Sequence, residues 1–131
     1  METTKKKKIL LVDDNLEIAE LTKKFLEGNG YEVTATVNPM YGLELLSHDR
    51  FDVLISDVSM PEMGGEEFIK RAKTLDPGLM VLLITGHVSF DDPQKAIEMG
   101  VHDCLIKPVE LEEMCSSIER GLKAAEEKKK T

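Results

Sequence analysis

The sequence predicts a single doubly wound α/β domain. Three observations carry that reading. Five short strand-like apolar runs, the first, third and fourth nearly continuous, alternate with stretches of helical periodicity, the pattern of a parallel sheet covered by helices on both faces. The breaks between them are turn and cap signals such as Gly28-Asn29-Gly30, Asn38-Pro39 and Asp76-Pro77-Gly78. The length, 131 residues with 41% hydrophobic and 32% charged residues, suits one domain with a real core.

The first strand, Ile9–Val12, is apolar throughout and runs straight into Asp13 and Asp14. In the first helix Ile18, Leu21, Thr22, Phe25 and Leu26 recur at helical spacing until Gly28-Asn29-Gly30 stops it. Tyr31–Thr36 reads as the second strand. The second helix, Pro39–Leu46, has Asn38 as its cap and Pro39 in its first turn. Val53–Ser56 is the third strand. A third helix runs from about Gly65 to Leu75, with Phe68, Ile69, Ala72 and Leu75 on one side. Met80–Thr85 is the fourth strand. The fourth helix starts at Asp92-Pro93 and ends at Gly100, and Val101–Ile106 is the fifth strand. The fifth helix, from about Glu110 to Ala125, carries the stripe Leu111, Met114, Cys115, Ile118, Leu122 and Ala125.

The domain is expected over residues 8–125, with a basic tail at 1–7 and a charged tail or linker remnant at 126–131. The net charge of −8 argues against non-specific binding to nucleic acid or anionic membranes. No stretch approaches about 20 apolar residues, so no membrane span is expected. The basic start lacks the apolar region of a signal peptide. Cys104 and Cys115 show no metal-ligand spacing and read as small core residues, which suits a cytoplasmic setting.

In an open α/β sheet, sites form beyond the carboxyl ends of the strands. There stand Asp13 and Asp14, Asp57, Thr85, and Lys107 followed by Pro108. Each alone is ordinary; an Asp after a strand is usually a helix cap, and Asp14 could cap the first helix. Together, three carboxylates in one cleft are hard to keep ionised without a cation. Oxygen-only ligands suit Mg²⁺, and no His or Cys cluster competes for zinc. A carboxylate can also be a nucleophile toward phosphorus, with a cation and a lysine neutralising the phosphoryl charge.

The stretches ILLVDDN, DVLISDVSMPEMGG, VLLITGH and GVHDCLIKP together resemble a receiver (phosphoacceptor) domain of two-component response regulators, of the chemotaxis-receiver kind, over roughly residues 7–125. The resemblance implies a flavodoxin-like strand order 2-1-3-4-5. It implies that Asp57 accepts a phosphoryl group from the phosphohistidine of a histidine kinase or phosphotransfer protein. Mg²⁺ (or Mn²⁺) would be held by Asp13, Asp14, Asp57 and the backbone carbonyl of Ser59. Thr85 would hydrogen-bond the phosphoryl group and Lys107 would pair with it, aimed by a cis Lys107–Pro108 bond. Met60-Pro61 and Gly64-Gly65 would shape the loop after the nucleophile, and Gly86 would leave room for the donor. Ser59 and His87 would tune hydrolysis of the acyl phosphate.

By the same resemblance the partners are the donor and a downstream protein or attached output domain, with no direct nucleic-acid or membrane contact. The domain would be a monomer or a phosphorylation-dependent dimer. Its contact face would be the fourth helix, fifth strand and fifth helix. It would be a signalling module that catalyses only its own phosphorylation and dephosphorylation. One position departs from the family pattern: Cys104 stands where a Tyr or Phe usually reports the switch. A phosphohydrolase is the first rival reading, but Ser59 stands where such enzymes need a second Asp. A receiver that binds partners without phosphorylation is the second. A flavin module is disfavoured, because carboxylates after the first strand would repel its phosphate.

Overall fold

A computed structural model describes residues 6–57, 65–85 and 100–130, and the statements below concern these. The elements are β1 (Lys8–Val12), α1 (Leu16–Gly28), β2 (Glu32–Thr36), α2 (Pro39–His48), β3 (Val53–Asp57), α3 (Gly65–Leu75), β4 (Met80–Thr85), β5 (Asp103–Ile106) and α4 (Leu111–Lys130). The helix expected between Asp92-Pro93 and Gly100 lies outside the described residues. All five strands are parallel, in the order β2-β1-β3-β4-β5. The doubly wound fold and its strand order are therefore as the sequence reads.

Strand alternation divides the core in two. Leu10, Val12, Leu54, Val81 and Leu83 face one way, onto Leu43 and Leu46 of α2 and Phe68, Ile69 and Ala72 of α3. Ile9, Leu11, Ile55, Leu82 and Ile84 face the other way, onto Ala19 and Leu26 of α1 and Met114, Cys115 and Ile118 of α4. Burial on both faces explains why these strands are apolar without alternation. Each fully buried Leu, Ile or Phe contributes about 1.5–3 kcal/mol.

Local chemistry sets the helix ends. The Asn15 side chain accepts from the Ile18 amide at the start of α1. Asn15, not Asp14, is thus the cap, because Asp14 lies one residue too early for the first turn. Asn38 caps α2 by accepting from Met40 and Tyr41, with Pro39 in the first turn. Gly30, with φ of +96°, takes the left-handed turn after α1 that other residues resist. Gly42 lets α2 sit close to the sheet: a Cβ there would lie 3.2 Å from Val12 Cγ2.

Two polar clusters fasten the sheet. At its amino end the Lys8 amide donates to Asp52 (2.8 Å), the Lys8 ammonium pairs with Asp49 (2.8 Å), and that ammonium lies 5.2 Å from the Phe51 ring centre. Between β5 and α4, the buried Ser117 hydroxyl donates to Asp103 (2.8 Å), and the His102 ring meets the Ser117 carbonyl (3.1 Å).

Several boundaries differ from expectation. Tyr31 belongs to the turn, since its amide donates to Leu26 O. Val101 is buried but precedes β5. The last helix runs on past Ala125 to Lys130. On α1, Ile18 and Leu21 are 41% and 62% exposed, while Ala19, Thr22 and Leu26 face the core. No helix among the described residues is long and apolar enough to cross a membrane.

Phe68 is fully buried where α3 meets α2 and the sheet. Phe68→Ala is expected to lower unfolding free energy by about 3–5 kcal/mol in a denaturant titration, the cost of a large core cavity.

Candidate functional site

Parallel register lines up the strand ends. Val12 pairs with Thr36 and Ser56, Asp57 with Ile84, and Thr85 with Ile106. The residues at or just past these pairs therefore gather at one edge. Asp13 follows β1 and is buried; its amide donates to Thr36 O (3.1 Å) and its Oδ1 accepts from the Asn15 amide (2.9 Å). Asp57 ends β3, only 4% exposed, and its Oδ2 accepts from the Lys107 ammonium at 2.8 Å. Lys107 follows β5 and precedes a cis peptide bond to Pro108. Asp14 is exposed, yet it can bring one carboxylate oxygen within 4.8 Å of oxygens of Asp13 and Asp57.

Of the residues expected at the site, Asp13, Asp14, Asp57 and Lys107 are brought together. Thr85 closes β4, beside the end of β5, and its side chain lies outside the described residues. Ser59, Met60, Pro61, Gly64, Gly86 and His87 also lie outside them.

The electrostatics follow from crowding. Like charges 4 Å apart repel by about 1 kcal/mol in water and about 4 kcal/mol near a protein surface. Burial pushes the Asp13 carboxyl above the ordinary Asp value, reinforced by Asp57 and Asp14 and opposed by the Asn15 amide and Lys107. For Lys107, burial favours the neutral amine, but the Asp57 bond and the neighbouring carboxylates outweigh it and raise its pKa. The cluster offers carboxylate oxygens at short mutual range. That donor set fits a small hard cation such as Mg²⁺, which takes one or two carboxylates and keeps waters.

A groove of about 670 Å³ opens beside Asp57 and Lys107 and runs between α1 and α4. Its walls include Ile18, Leu21, Val109, Leu111 and Met114. Neither this groove nor the role of Asn15 was apparent from residue spacing. The one available signal for Asn15 was an Asn directly before a helical apolar pattern, a standard cap position.

A family model described as the response regulator receiver domain matches residues 9–119. The chain belongs to that family. A response regulator receiver protein of Anaeromyxobacter is 38% identical over 103 residues, covering 79% of this chain and 43% of that protein. The transcriptional regulatory protein ZraR of Klebsiella oxytoca is 33% identical over 114 residues, covering 87% of this chain and 26% of ZraR. The chain thus spans less than half the length of these two relatives. A crystal structure of a CheY-like receiver domain protein from Methanospirillum hungatei superposes with a TM-score of 0.90 at 30% identity, covering 95% of this chain and 99% of that one. Receiver domains are signalling modules and not enzymes in the metabolic sense.

In this receiver domain Cys104 is half-buried and packs against the core on the α2–α3 side of the sheet. Burial, helped by Asp103, pushes its thiol pKa up, so it is a poor nucleophile at neutral pH. Cys115 is buried on the opposite, α1–α4 side.

Asp14→Asn removes one charge from the crowded edge. Without divalent cations it is expected to raise stability by about 1 kcal/mol, a gain of roughly 3–5 °C in Tm. Mg²⁺ is expected to raise the Tm of the wild type, and that gain is expected to shrink in the variant. Melting curves in EDTA and in Mg²⁺ check both signs.

Proposed function

We propose that this receiver domain accepts a phosphoryl group on Asp57 from the phosphohistidine of a histidine kinase or phosphotransfer protein, in a reaction that requires Mg²⁺ or Mn²⁺. One observation carries the reading: a buried Asp57 carboxylate 2.8 Å from Lys107, with the oxygens of Asp13 and Asp14 able to approach it. An Asp57 oxygen attacks phosphorus while the P–N bond breaks and its electron pair passes to the imidazole nitrogen. With a proton on its other nitrogen, the imidazole leaves neutral. The product is an acyl phosphate on Asp57.

Asp13, Asp14 and Asp57, with the Ser59 carbonyl, would hold the cation. When bound, the cation supplies charge neutralisation at the phosphoryl oxygens. Lys107 passes from the Asp57 carboxylate to a phosphoryl oxygen, and the Thr85 hydroxyl donates to another. Because Lys107 directly follows β5, its move shifts the end of that strand. The domain then controls a partner or an attached output domain. The two longer relatives described above agree with the second possibility. A cytoplasmic setting agrees with two free thiols.

The donor lands on the apolar rim of α1. Leu16 and Leu21 are 61% and 62% exposed, and the groove past Leu21 leads to Asp57. Exposed large apolar side chains beside a reactive group fit a protein partner.

Intact mass spectrometry tests the chemistry. Wild type treated with Mg²⁺ and acetyl phosphate should gain the mass of one phosphoryl group, and Asp57→Asn or EDTA should abolish it. No gain on the wild type from small donors or from phosphorylated histidine kinases would overturn the reading. Leu21→Arg tests the landing face: transfer from a phosphohistidine protein should slow about tenfold, as for an interface anchor. Transfer from acetyl phosphate, which needs no rim, should stay unchanged.

A further inference from the structure

Asn15 lies between the acidic edge and α1 and bonds to both. Its backbone is extended, with φ of −100° and ψ of 109°. That conformation turns its amide back onto Asp13 Oδ1 at 2.9 Å. The Asn15 side chain points forward and accepts from the Ile18 amide at 3.1 Å, while its carbonyl accepts from the Ala19 amide at 2.9 Å. One residue thus orients a carboxylate of the cluster with its amide and starts a helix with its side chain and carbonyl. The side chain itself is exposed and its amide oxygen is engaged by the Ile18 amide, so it acts through the backbone it holds.

We propose that Asn15 is a positioning residue that couples cation binding at Asp13 to the order of the first turn of α1. The inference rests on the cation site of the proposed function. Its logic is reciprocal. A capped first turn holds the Asn15 backbone extended and keeps its amide on Asp13, so the carboxylate is already aimed. A cation on Asp13 fixes the same carboxylate, and through the amide it fixes the cap. The turn in question carries the exposed Leu16 and Ile18, and Ile18 lines the groove that also holds Asp57. Cation binding therefore also firms part of the surface that a donor would meet. Reciprocity is required of any such coupling between two events on one molecule.

The test compares wild type with Asn15→Ala, which removes the cap, and Asn15→Ser, which restores a capping oxygen without adding charge. Isothermal calorimetry with Mg²⁺ and hydrogen exchange at residues 16–19, with and without Mg²⁺, give two readouts that need no phosphorylation. Asn15→Ala should weaken Mg²⁺ binding about tenfold, the lower end of effects seen for groups that orient metal ligands. Asn15→Ser should recover most of the loss. Mg²⁺ should slow exchange in the first turn of the wild type and of Asn15→Ser, but not of Asn15→Ala. If Asn15→Ala frays the turn yet binds Mg²⁺ as the wild type does, Asn15 is a helix cap alone and the coupling is refuted. If the wild type binds no Mg²⁺, the cation site of the proposed function fails and the coupling fails with it. The two failures are told apart by the wild-type titration.

Discussion

A parallel sheet covered on both faces leaves its polar chemistry only one exit, the ends of its strands. Every strand residue from Ile9 to Val12 and from Val53 to Asp57 is buried. A carboxylate in the middle of either strand would face an apolar helix without a partner, at a cost of several kcal/mol. At the carboxyl edge the same group meets neighbouring strand ends and solvent. Register then does the rest. Because β1, β3, β4 and β5 run parallel with matched ends, groups from distant parts of the chain arrive side by side. Asp57 and Lys107 are 50 residues apart in sequence and 2.8 Å apart in space.

The crowding at that edge is an unfavourable arrangement held by a favourable fold. Core burial on both faces supplies the stability that tolerates like charges in proximity. Lys107 offsets part of the repulsion in the resting domain through its bond to Asp57. A ligand that brings positive charge relieves the remainder, and binding that removes repulsion from the folded state also stabilises the fold. Affinity and strain are here the same quantity seen from two sides.

Much of this was legible in the sequence, for identifiable reasons. Continuous apolar runs marked the buried strands, and Asn38-Pro39 marked the start of α2 with its cap. The strand ends at Asp13, Asp57 and Lys107 could be read off because a strand's exit is a position, not a matter of packing. Packing was less legible. Helical spacing grouped Ile18 and Leu21 with Thr22 and Leu26, yet the first two face outward. Periodicity registers apolar residues but not whether a second helix covers them. The choice of Asn15 over Asp14 as cap turned on a single residue of backbone geometry. Tyr31 looked like strand, but its amide is spent on the end of α1. Beyond Ala125 the apolar stripe stops, while Glu and Lys keep enough helix propensity to extend α4 to Lys130.

The lashing around Lys8 gives the domain a mechanical polarity. One end of the sheet is tied by the bonds of Lys8 to Asp49 and Asp52, whereas the other end gathers the charges of Asp13, Asp14, Asp57 and Lys107. A beam clamped at one end and loaded at the other bends at its tip. If the charges at Asp57 and Lys107 rearrange as proposed, the displacement arises at that end, and the clamped end is the fixed frame against which it is measured. In a signalling module, a stationary reference end is what would give such a displacement meaning.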